Sequence, residues 1–278
     1  SNNVGIGRLT RIDDQSGTTQ YRYNFLGQLV QKSVTTNGQS HQTNYRYELG
    51  ELKTITYPSG FIVNFNHDSQ GRVQSISTEH AGQTAQPFIN QIDYLPFGPI
   101  EHIHYSNGLN TVYGYNQDYR ITSINTGNAS NTILGLGYLY DPNGNIQQLD
   151  YVNNPTQNQA FDYDRLNRLL SGTGEYGVLG FDYDFVGNRL IKTLQNGSDN
   201  QTDVYNYVLG SNQLNDIDRN NNGALSNTLY EKDANGNSIT ITESDNAENI
   251  YEYNANNRLA RVTTANGITA EYTYNAQG

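Results

Sequence analysis

The sequence contains no cysteine, no methionine and no tryptophan, and it is poor in basic residues. The absence of cysteine excludes disulfides, thiolate metal sites and cysteine nucleophiles. Its 16 Lys and Arg residues against 27 Asp and Glu residues give a net charge of −11, so the basic surface that nucleic-acid binding requires is missing. No apolar run approaches the roughly 20 residues of a membrane helix. We therefore expect neither a nucleic-acid partner nor membrane insertion by this chain.

The composition of what remains favours β structure. Only 35% of the 278 residues are hydrophobic and only 15% are charged, yet tyrosine occurs 23 times and glycine 27 times. Polarity alone would indicate disorder. Abundant tyrosine with few lysines is instead typical of strands, so we predict an ordered all-β protein.

A repeat of about 23 residues runs through the chain, with the pattern aromatic-x-Tyr-Asp/Asn-x-x-Gly/Asn-x-Leu/Ile. Aromatic residues two apart lie on one face of a strand, and the residues beside them are polar. We predict about twelve β-hairpins that form a continuous spiral antiparallel sheet with one tyrosine-rich face. The Gly/Asn position is occupied in turn by Gly27, Gly50, Gly71, Gly98, Tyr119, Gly144, Asn167, Gly187, Asn212, Gly236, Asn257 and Gly278.

The motif residues have expected structural roles. An Asp or Asn side chain can accept hydrogen bonds from turn amides two residues on, and the tyrosines are expected to contact aromatic partners in neighbouring repeats. The residues to which we assign these roles are Tyr23, Gly27, Tyr140, Asp141, Gly144, Tyr163, Asp164, Tyr183, Asp184, Gly187, Tyr253, Asn254 and Tyr274. Type I′ hairpin turns are predicted at Asn-Gly pairs, which begin at Asn37, Asn107, Asn143, Asn196, Asn222, Asn235 and Asn266.

Catalytic and cofactor motifs are missing, so we predict no enzyme and no cofactor. The sequence has neither a G-x-S-x-G elbow nor a phosphate-binding loop. His102 and His104 have the spacing of metal ligands, but no carboxylate or third histidine is evident nearby, which favours ordinary strand residues.

Calcium is the one metal with a candidate site in the sequence. Asp218, Asn220 and Asn222 resemble the first half of an EF-hand loop, whereas Leu229 stands where a bidentate Glu is required. An asparagine-rich turn is therefore favoured over a calcium site.

Several segments resemble the YD repeats of Rhs proteins, and the resemblance covers essentially the whole chain. Residues 94–99 read Tyr-Leu-Pro-Phe-Gly-Pro and residues 105–108 Tyr-Ser-Asn-Gly. Residues 161–169 read Phe-Asp-Tyr-Asp-Arg-Leu-Asn-Arg-Leu, and residues 182–189 read Asp-Tyr-Asp-Phe-Val-Gly-Asn-Arg. The resemblance implies part of a hollow β-sheet shell. In bacterial Rhs toxins and related ABC toxin complexes such a shell encloses a C-terminal toxin, and teneurins, which are adhesion receptors, carry a related barrel.

We accordingly expect a structural shell segment that encloses a C-terminal toxin or cargo in a secreted or cell-surface bacterial protein. The alternative is a cell-surface adhesin or glycan-binding YD-repeat protein. Residues 1–278 are expected to be a single repeat region within a longer chain, because the sequence lacks an initiator methionine. The partners would then be the rest of that chain, the enclosed cargo and, through open sheet edges, further copies.

Overall fold

The computed structural model describes residues 4–80, 82–96 and 98–274, and most of them form antiparallel β-strands. The first twelve strands are β1 (Arg11–Asp14), β2 (Gly17–Tyr23), β3 (Leu29–Thr36), β4 (Gln39–Glu48), β5 (Glu51–Thr56), β6 (Phe61–His67), β7 (Val73–His80), β8 (Gln86–Tyr94), β9 (Ile100–Tyr105), β10 (Asn110–Tyr115), β11 (Ile121–Asn128) and β12 (Asn131–Tyr140). The other twelve are β13 (Ile146–Tyr151), β14 (Gln159–Tyr163), β15 (Leu169–Gly174), β16 (Gly177–Tyr183), β17 (Arg189–Asn196), β18 (Asp199–Tyr207), β19 (Leu214–Asn221), β20 (Ala224–Lys232), β21 (Ser238–Thr242), β22 (Glu248–Tyr253), β23 (Leu259–Thr263) and β24 (Thr269–Glu271).

Helix is almost absent, which confirms the all-β prediction. Within the described ranges, one 3₁₀ turn at Pro155–Gln157 is the only helical element. None of the described segments forms a helix long and apolar enough to cross a membrane. Two motif positions, Phe97 and Gly278, lie outside the described residues.

The chain divides into two compact units, Ser1–Gly135 with Thr273–Gly278 and Leu136–Tyr272. In the first unit, each strand from β1 to β11 pairs antiparallel with the next one along the chain. The second unit has the same meander from β12 to β24. The predicted succession of hairpins is therefore present in both units.

Eleven repeats carry a β-bulge at the same place. Asp162 pairs with Ser171 while Tyr163 pairs with Leu169, so Leu170 has no partner across the ladder. A bulge bends its strand and increases the local twist, so each repeat receives the same added twist beside its motif tyrosine. The same shift occurs immediately before Tyr23, Tyr47, His67, Tyr94, Tyr115, Tyr140, Tyr183, Tyr207, Lys232 and Tyr253.

The Gly/Asn position of the repeat is explained by backbone conformation. Its φ is 79° at Gly27, 60° at Asn167 and 58° even at Tyr119, which replaces the usual residue. This left-handed region is open to glycine and tolerated by asparagine, and it is costly for other residues. Asn212 departs from the pattern because its turn is longer, and there Gly210 adopts the positive φ of 77°.

The prediction of type I′ turns at all seven Asn-Gly pairs is wrong. Both residues have positive φ only at Asn37-Gly38 and Asn222-Gly223, where the loop is two residues long. In the other five pairs only the glycine has positive φ. Four of these glycines are the fourth residue of a five-residue turn, namely Gly108, Gly144, Gly236 and Gly267. The preceding asparagine in such a turn does not need a left-handed conformation.

The sheet has almost no buried core. Among the described residues, only Tyr21, Ile89 and Ile92 are buried apolar side chains, and strands make substantial contacts only with their neighbours along the chain. The accessible surface is 17698 Å² for 31.1 kDa, against the roughly 12,000 Å² expected of a compact protein of this mass. Hydrogen bonds between neighbouring strands and turns must therefore supply much of the stability.

One charged group is fully buried within the second unit. Asp203 is 1% exposed, and its carboxylate accepts hydrogen bonds from Arg219 Nε at 2.8 Å and Nη2 at 3.3 Å. Gln201 Nε2 also donates to both carboxylate oxygens at 3.0 Å. This pair joins β18 to β19 where the sheet offers little apolar burial.

Arg219→Ala should destabilise the protein by about 3 kcal/mol, because it leaves the buried Asp203 carboxylate without its cation. Arg261→Ala is the matched control, since both arginine side chains are 45% exposed but the partners of Arg261, Glu252 and Glu271, are themselves exposed. The control should cost less than about 1 kcal/mol. Urea denaturation of both variants measures the difference, and equal losses would contradict the assignment.

Candidate functional site: the motif turns

Each motif turn, meaning the five residues from the motif Asp or Asn onward, is closed by its first side chain. In residues 164–168, Asp164 Oδ1 accepts from the backbone N–H of Leu166 at 2.8 Å and of Arg168 at 2.9 Å. The Asp164 N–H donates to the Arg168 carbonyl, and the Asn167 N–H donates to the Asp164 carbonyl. The same pair of side-chain contacts closes the turns that begin at Asn24, Asp68, Asn116, Asp184, Asp233 and Asn254. Asp and Asn are interchangeable here because one acceptor oxygen suffices.

The second carboxylate oxygen binds the last side chain of the turn. Asp164 Oδ2 accepts from Arg168 Nε at 2.6 Å, and Asp141 Oδ2 accepts from Asn145 Nδ2 at 2.8 Å. The hydrogen bond from the Arg168 backbone N–H, followed by that from its side chain, lowers the pKa of Asp164 despite desolvation. The Asn145 side chain does the same for the pKa of Asp141.

In seven repeats a tyrosine at the motif position links the repeat to the preceding one. The Tyr163 hydroxyl donates to the Ile146 carbonyl at 2.9 Å, and the Tyr183 hydroxyl donates to the Leu169 carbonyl at 2.9 Å. Ile146 and Leu169 each begin the strand that follows the preceding motif turn. Equivalent bonds join Tyr23 to Leu9, Tyr94 to Val73, Tyr115 to Ile100, Tyr207 to Arg189 and Tyr253 to Ser238.

Contacts between rings do not link Tyr163 or Tyr183 to neighbouring repeats. Among the described residues, the ring pairs are Tyr57–Phe61, Phe61–His80 and His102–His104. The expected aromatic pairing between repeats is therefore wrong in its mode of contact. The motif rings instead receive cations, as where the Arg168 guanidinium lies 4.7 Å from the Tyr183 ring centroid.

Successive turns also contact each other through side chains in the second compact unit. Asn145 Nδ2 donates to Asn167 Oδ1 at 2.8 Å, and Asn188 Nδ2 donates to Asn212 Oδ1 at 3.0 Å. Asn237 donates to Asn257 in the same way. The repeat position alternates strictly through Gly144, Asn167, Gly187, Asn212, Gly236 and Asn257. Sequence reasoning treated Gly and Asn as equivalent here, although the alternation was visible.

Two further tyrosines of the motif set, Tyr140 and Tyr274, occupy the following positions in the structure. Tyr140 occupies the bulged position opposite Ile146, at the end of β12. Tyr274 is the last described residue and lies beyond β24. The structural roles assigned to the whole motif set stay a prediction until variants are measured.

The calcium candidates are not brought together as a loop. Asp218 and Asn220 lie on strand β19, and Asn222 lies in the two-residue turn that follows. Asp218 Oδ1 accepts from Asn227 Nδ2 at 2.9 Å, and Asn220 Oδ1 accepts from the Gly223 N–H at 2.8 Å. These two oxygens already accept hydrogen bonds within the sheet and the turn. The three side chains do not surround one point where an ion could bind, and calcium binding stays a prediction.

A carboxylate does lie beside the histidine pair, contrary to expectation. Asp93 on β8 is directly opposite His102 on β9. Its Oδ2 lies 2.9 Å from His104 Nε2 and 4.0 Å from His102 Nδ1. The sequence did not reveal this carboxylate because the contact depends on the register of two strands.

Two protein families match the sequence, the teneurin YD-shell over residues 5–95 and the RHS repeat over residues 253–278. No curated protein matches it significantly. These matches confirm the resemblance that the repeat predicts.

Solved structures with the same fold belong to toxin complexes. The structure of TcdB2-TccC3-TEV is 19% identical with a TM-score of 0.66, over 98% of this chain and 16% of that chain. The structure of TcdB2-TccC3 is 18% identical with a TM-score of 0.62, over 92% and 15%. A Photorhabdus luminescens Tc holotoxin pore with a TccC3 mutation is 16% identical with a TM-score of 0.61, over 92% and 17%. This chain thus spans about a sixth of the chains that it matches, and the likeness shows the fold.

Tyr183→Phe should cost about 0.5–1.5 kcal/mol, because the hydroxyl that donates to the Leu169 carbonyl is lost. Tyr251→Phe is the control, since the Tyr251 hydroxyl has no hydrogen-bond partner within the described residues. Its effect should stay within about 0.5 kcal/mol. Urea denaturation compares the two, and equal costs would show that the tyrosine bond does not stabilise the repeats.

Replacing Asp141, Asp164, Asp184 and Asp233 together by Asn should keep the fold at pH 7 and weaken its acid sensitivity. The pKa of each of these carboxyls is lowered in the folded protein. Their stabilisation is complete above the pKa of unfolded Asp, about 3.9, and is lost as the pH falls through the lower folded pKa. Thermal melts between pH 7 and pH 2 measure this, and an unchanged acid transition would contradict it.

Proposed function

We propose that this chain, which resembles the YD repeats of Rhs proteins, is a structural segment of a β-sheet shell that encloses another polypeptide. The family matches and the fold shared with the TcdB2-TccC3 structures support a shell role. Because the chain spans about 16% of the matched chain, the enclosure would belong to a larger assembly. We assign the segment no catalytic role.

The observation that carries the proposal is an aromatic face whose rings are only half-buried. In β14, Phe161 and Tyr163 are half-buried while the alternating Asp162 is exposed. Strand β16 repeats this arrangement with Phe181, Tyr183 and the exposed Asp182. Within the described chain, Tyr21 is the only aromatic side chain that is buried. We call the side that carries these rings the aromatic face.

The chemistry of the aromatic face suits a cargo chain without a fixed sequence. Tyrosine rings offer apolar surface with a polar end, and the motif hydroxyls are already bonded to backbone carbonyls. Such a face can hold an unfolded polypeptide through ring surfaces without demanding particular side chains. It would shield that polypeptide from solvent and proteases.

By analogy, the cargo is a C-terminal polypeptide. One matched structure is described as TcdB2-TccC3 without its hypervariable C-terminal region. We extend this to a C-terminal toxin or cargo in the protein to which this chain belongs, and to a secreted or cell-surface location for it.

A second candidate is recognition of glycans at a cell surface. A concavity of about 890 Å³ in the first compact unit is lined by Tyr57, Phe61, Val63 and two histidines, His41 and His80. Aromatic walls can stack on sugar rings, and the teneurin YD-shell match covers this region. Saturable binding on a glycan array would favour this candidate.

Photo-crosslinking tests which face holds a polypeptide. Benzoylphenylalanine is placed at Phe181 on the aromatic face or, as the matched control, at Val178 on the opposite face of the same strand, where the side chain is 45% exposed. The probe is reduced, carboxymethylated α-lactalbumin, which is permanently unfolded. We expect several-fold more cross-linked product from position 181. Equal yields, or more product from position 178, would overturn the assignment of the aromatic face.

A further inference from the structure

We propose that Asp93, His102 and His104 bind a divalent transition metal ion and that zinc is a suitable probe for the site. Their ligand atoms all lie within 4.8 Å of one another. The set is the only group of three or more His, Cys, Asp or Glu side chains with this spacing in the part of the chain that the structure describes. It lies entirely within the first compact unit.

The ligands come from two neighbouring strands whose register brings them together. His102 pairs with Asp93, and His104 pairs with Gln91 on β8 and with Asn110 on β10. Because side chains alternate along a strand, Asp93 projects from the face opposite to Ile92 and Tyr94. The proposed metal site is therefore separate from the aromatic face, and each proposal can fail without the other.

Neighbouring side chains hold two of the ligands in place. Gln91 Nε2 donates to Asp93 Oδ1, which leaves Oδ2 directed at both histidines. His104 Nδ1 lies 2.8 Å from Asn110 Oδ1, and its Nε2 lies 2.9 Å from Asp93 Oδ2. In the tautomer that has its hydrogen on Nδ1, His104 donates to Asn110 and presents the Nε2 lone pair on the side of the carboxylate. A cation bound between His104 Nε2 and Asp93 Oδ2 would accept electron pairs from both atoms. Histidines that bind a metal through one ring nitrogen usually donate a hydrogen bond from the other, as His104 Nδ1 would to Asn110.

The donor set indicates the class of metal. Two imidazoles and one carboxylate suit zinc and other first-row divalent ions better than calcium or magnesium, which prefer oxygen ligands. Zinc binds such donors at about 2.0–2.2 Å, so the 4.0 Å separation between His102 Nδ1 and Asp93 Oδ2 has to shrink modestly. The three side chains are 35–40% exposed, which leaves them room to adjust and leaves the site open to an incoming ion.

A bound ion would strengthen an irregular part of the sheet. The β8–β9 ladder shifts register twice, between Ile89 and Gln91 and again between Asp93 and Tyr94. Metal ligation across this pair would add a link where the backbone ladder is interrupted. We infer that the ion has a structural role in this repeat.

Isothermal titration of the chain with zinc chloride, without a histidine tag, tests the site. We expect one zinc ion per chain, loss of that binding in His104→Ala and Asp93→Asn, and about 10–100-fold weaker binding in Asn110→Ala, which removes only the outer hydrogen bond. His80→Ala is the control and should bind zinc as the parent does, because His80 contacts Phe61 instead. Circular dichroism verifies that each variant is folded.

A cobalt measurement on the parent chain does not depend on any variant folding. Cobalt bound by two imidazoles and a carboxylate should give a visible d–d absorption band that zinc displaces and calcium does not. The absence of that band, the absence of saturable zinc binding to the parent, or parent-like zinc affinity in folded His104→Ala would each overturn the proposal.

Discussion

The hydroxyls of seven tyrosines at the motif position donate to the first backbone carbonyl after the preceding turn, and the spacing between these repeats depends on this bond. Its acceptor is main chain, so residues as different as Ile146, Arg189 and Ser238 can occupy the acceptor position. The donor position cannot vary in this way, because only tyrosine carries a hydroxyl far enough from its backbone to reach this carbonyl. The side-chain oxygen that closes each turn holds that carbonyl in place, and the bulge beside the tyrosine lets the ring meet it.

This mode of linkage explains how a chain with only three buried apolar side chains among its described residues can hold a defined structure. An ordinary domain buries one face of its sheet under a second layer. Here each hairpin is stabilised by the hairpins before and after it, as in other repeat proteins. The rings of the aromatic face are consequently not buried in a core, which is what the proposed enclosure of a polypeptide requires.

The regular features were predictable from the sequence, and the cross-strand features were not. Tyrosines two apart and a periodic Gly or Asn predicted the hairpins, since period and turn chemistry are local properties. Local chemistry did not predict that Asn143 would have an ordinary φ while Asn222 has a left-handed one, because that depends on the length of the loop. The carboxylate beside His104 was missed for a related reason. Asp93 meets it only through the pairing of two strands and a bulge.

Gly and Asn turns alternate in the second compact unit, so its structural repeat is a pair of hairpins and not a single hairpin. Asn145, Asn188 and Asn237 are the last residues of glycine turns and donate to the asparagine of the next turn. If one hairpin with an Asn turn were deleted, two glycine turns would become neighbours, and the donor amide would face a residue without a side chain. Deleting two hairpins restores the match. Asn167, Asn212 and Asn257 are each separated by 45 residues, which is the length of two hairpins. An insertion or deletion of two hairpins therefore keeps the donor amides opposite asparagine, and we expect the number of repeats in this region to change during evolution in steps of two.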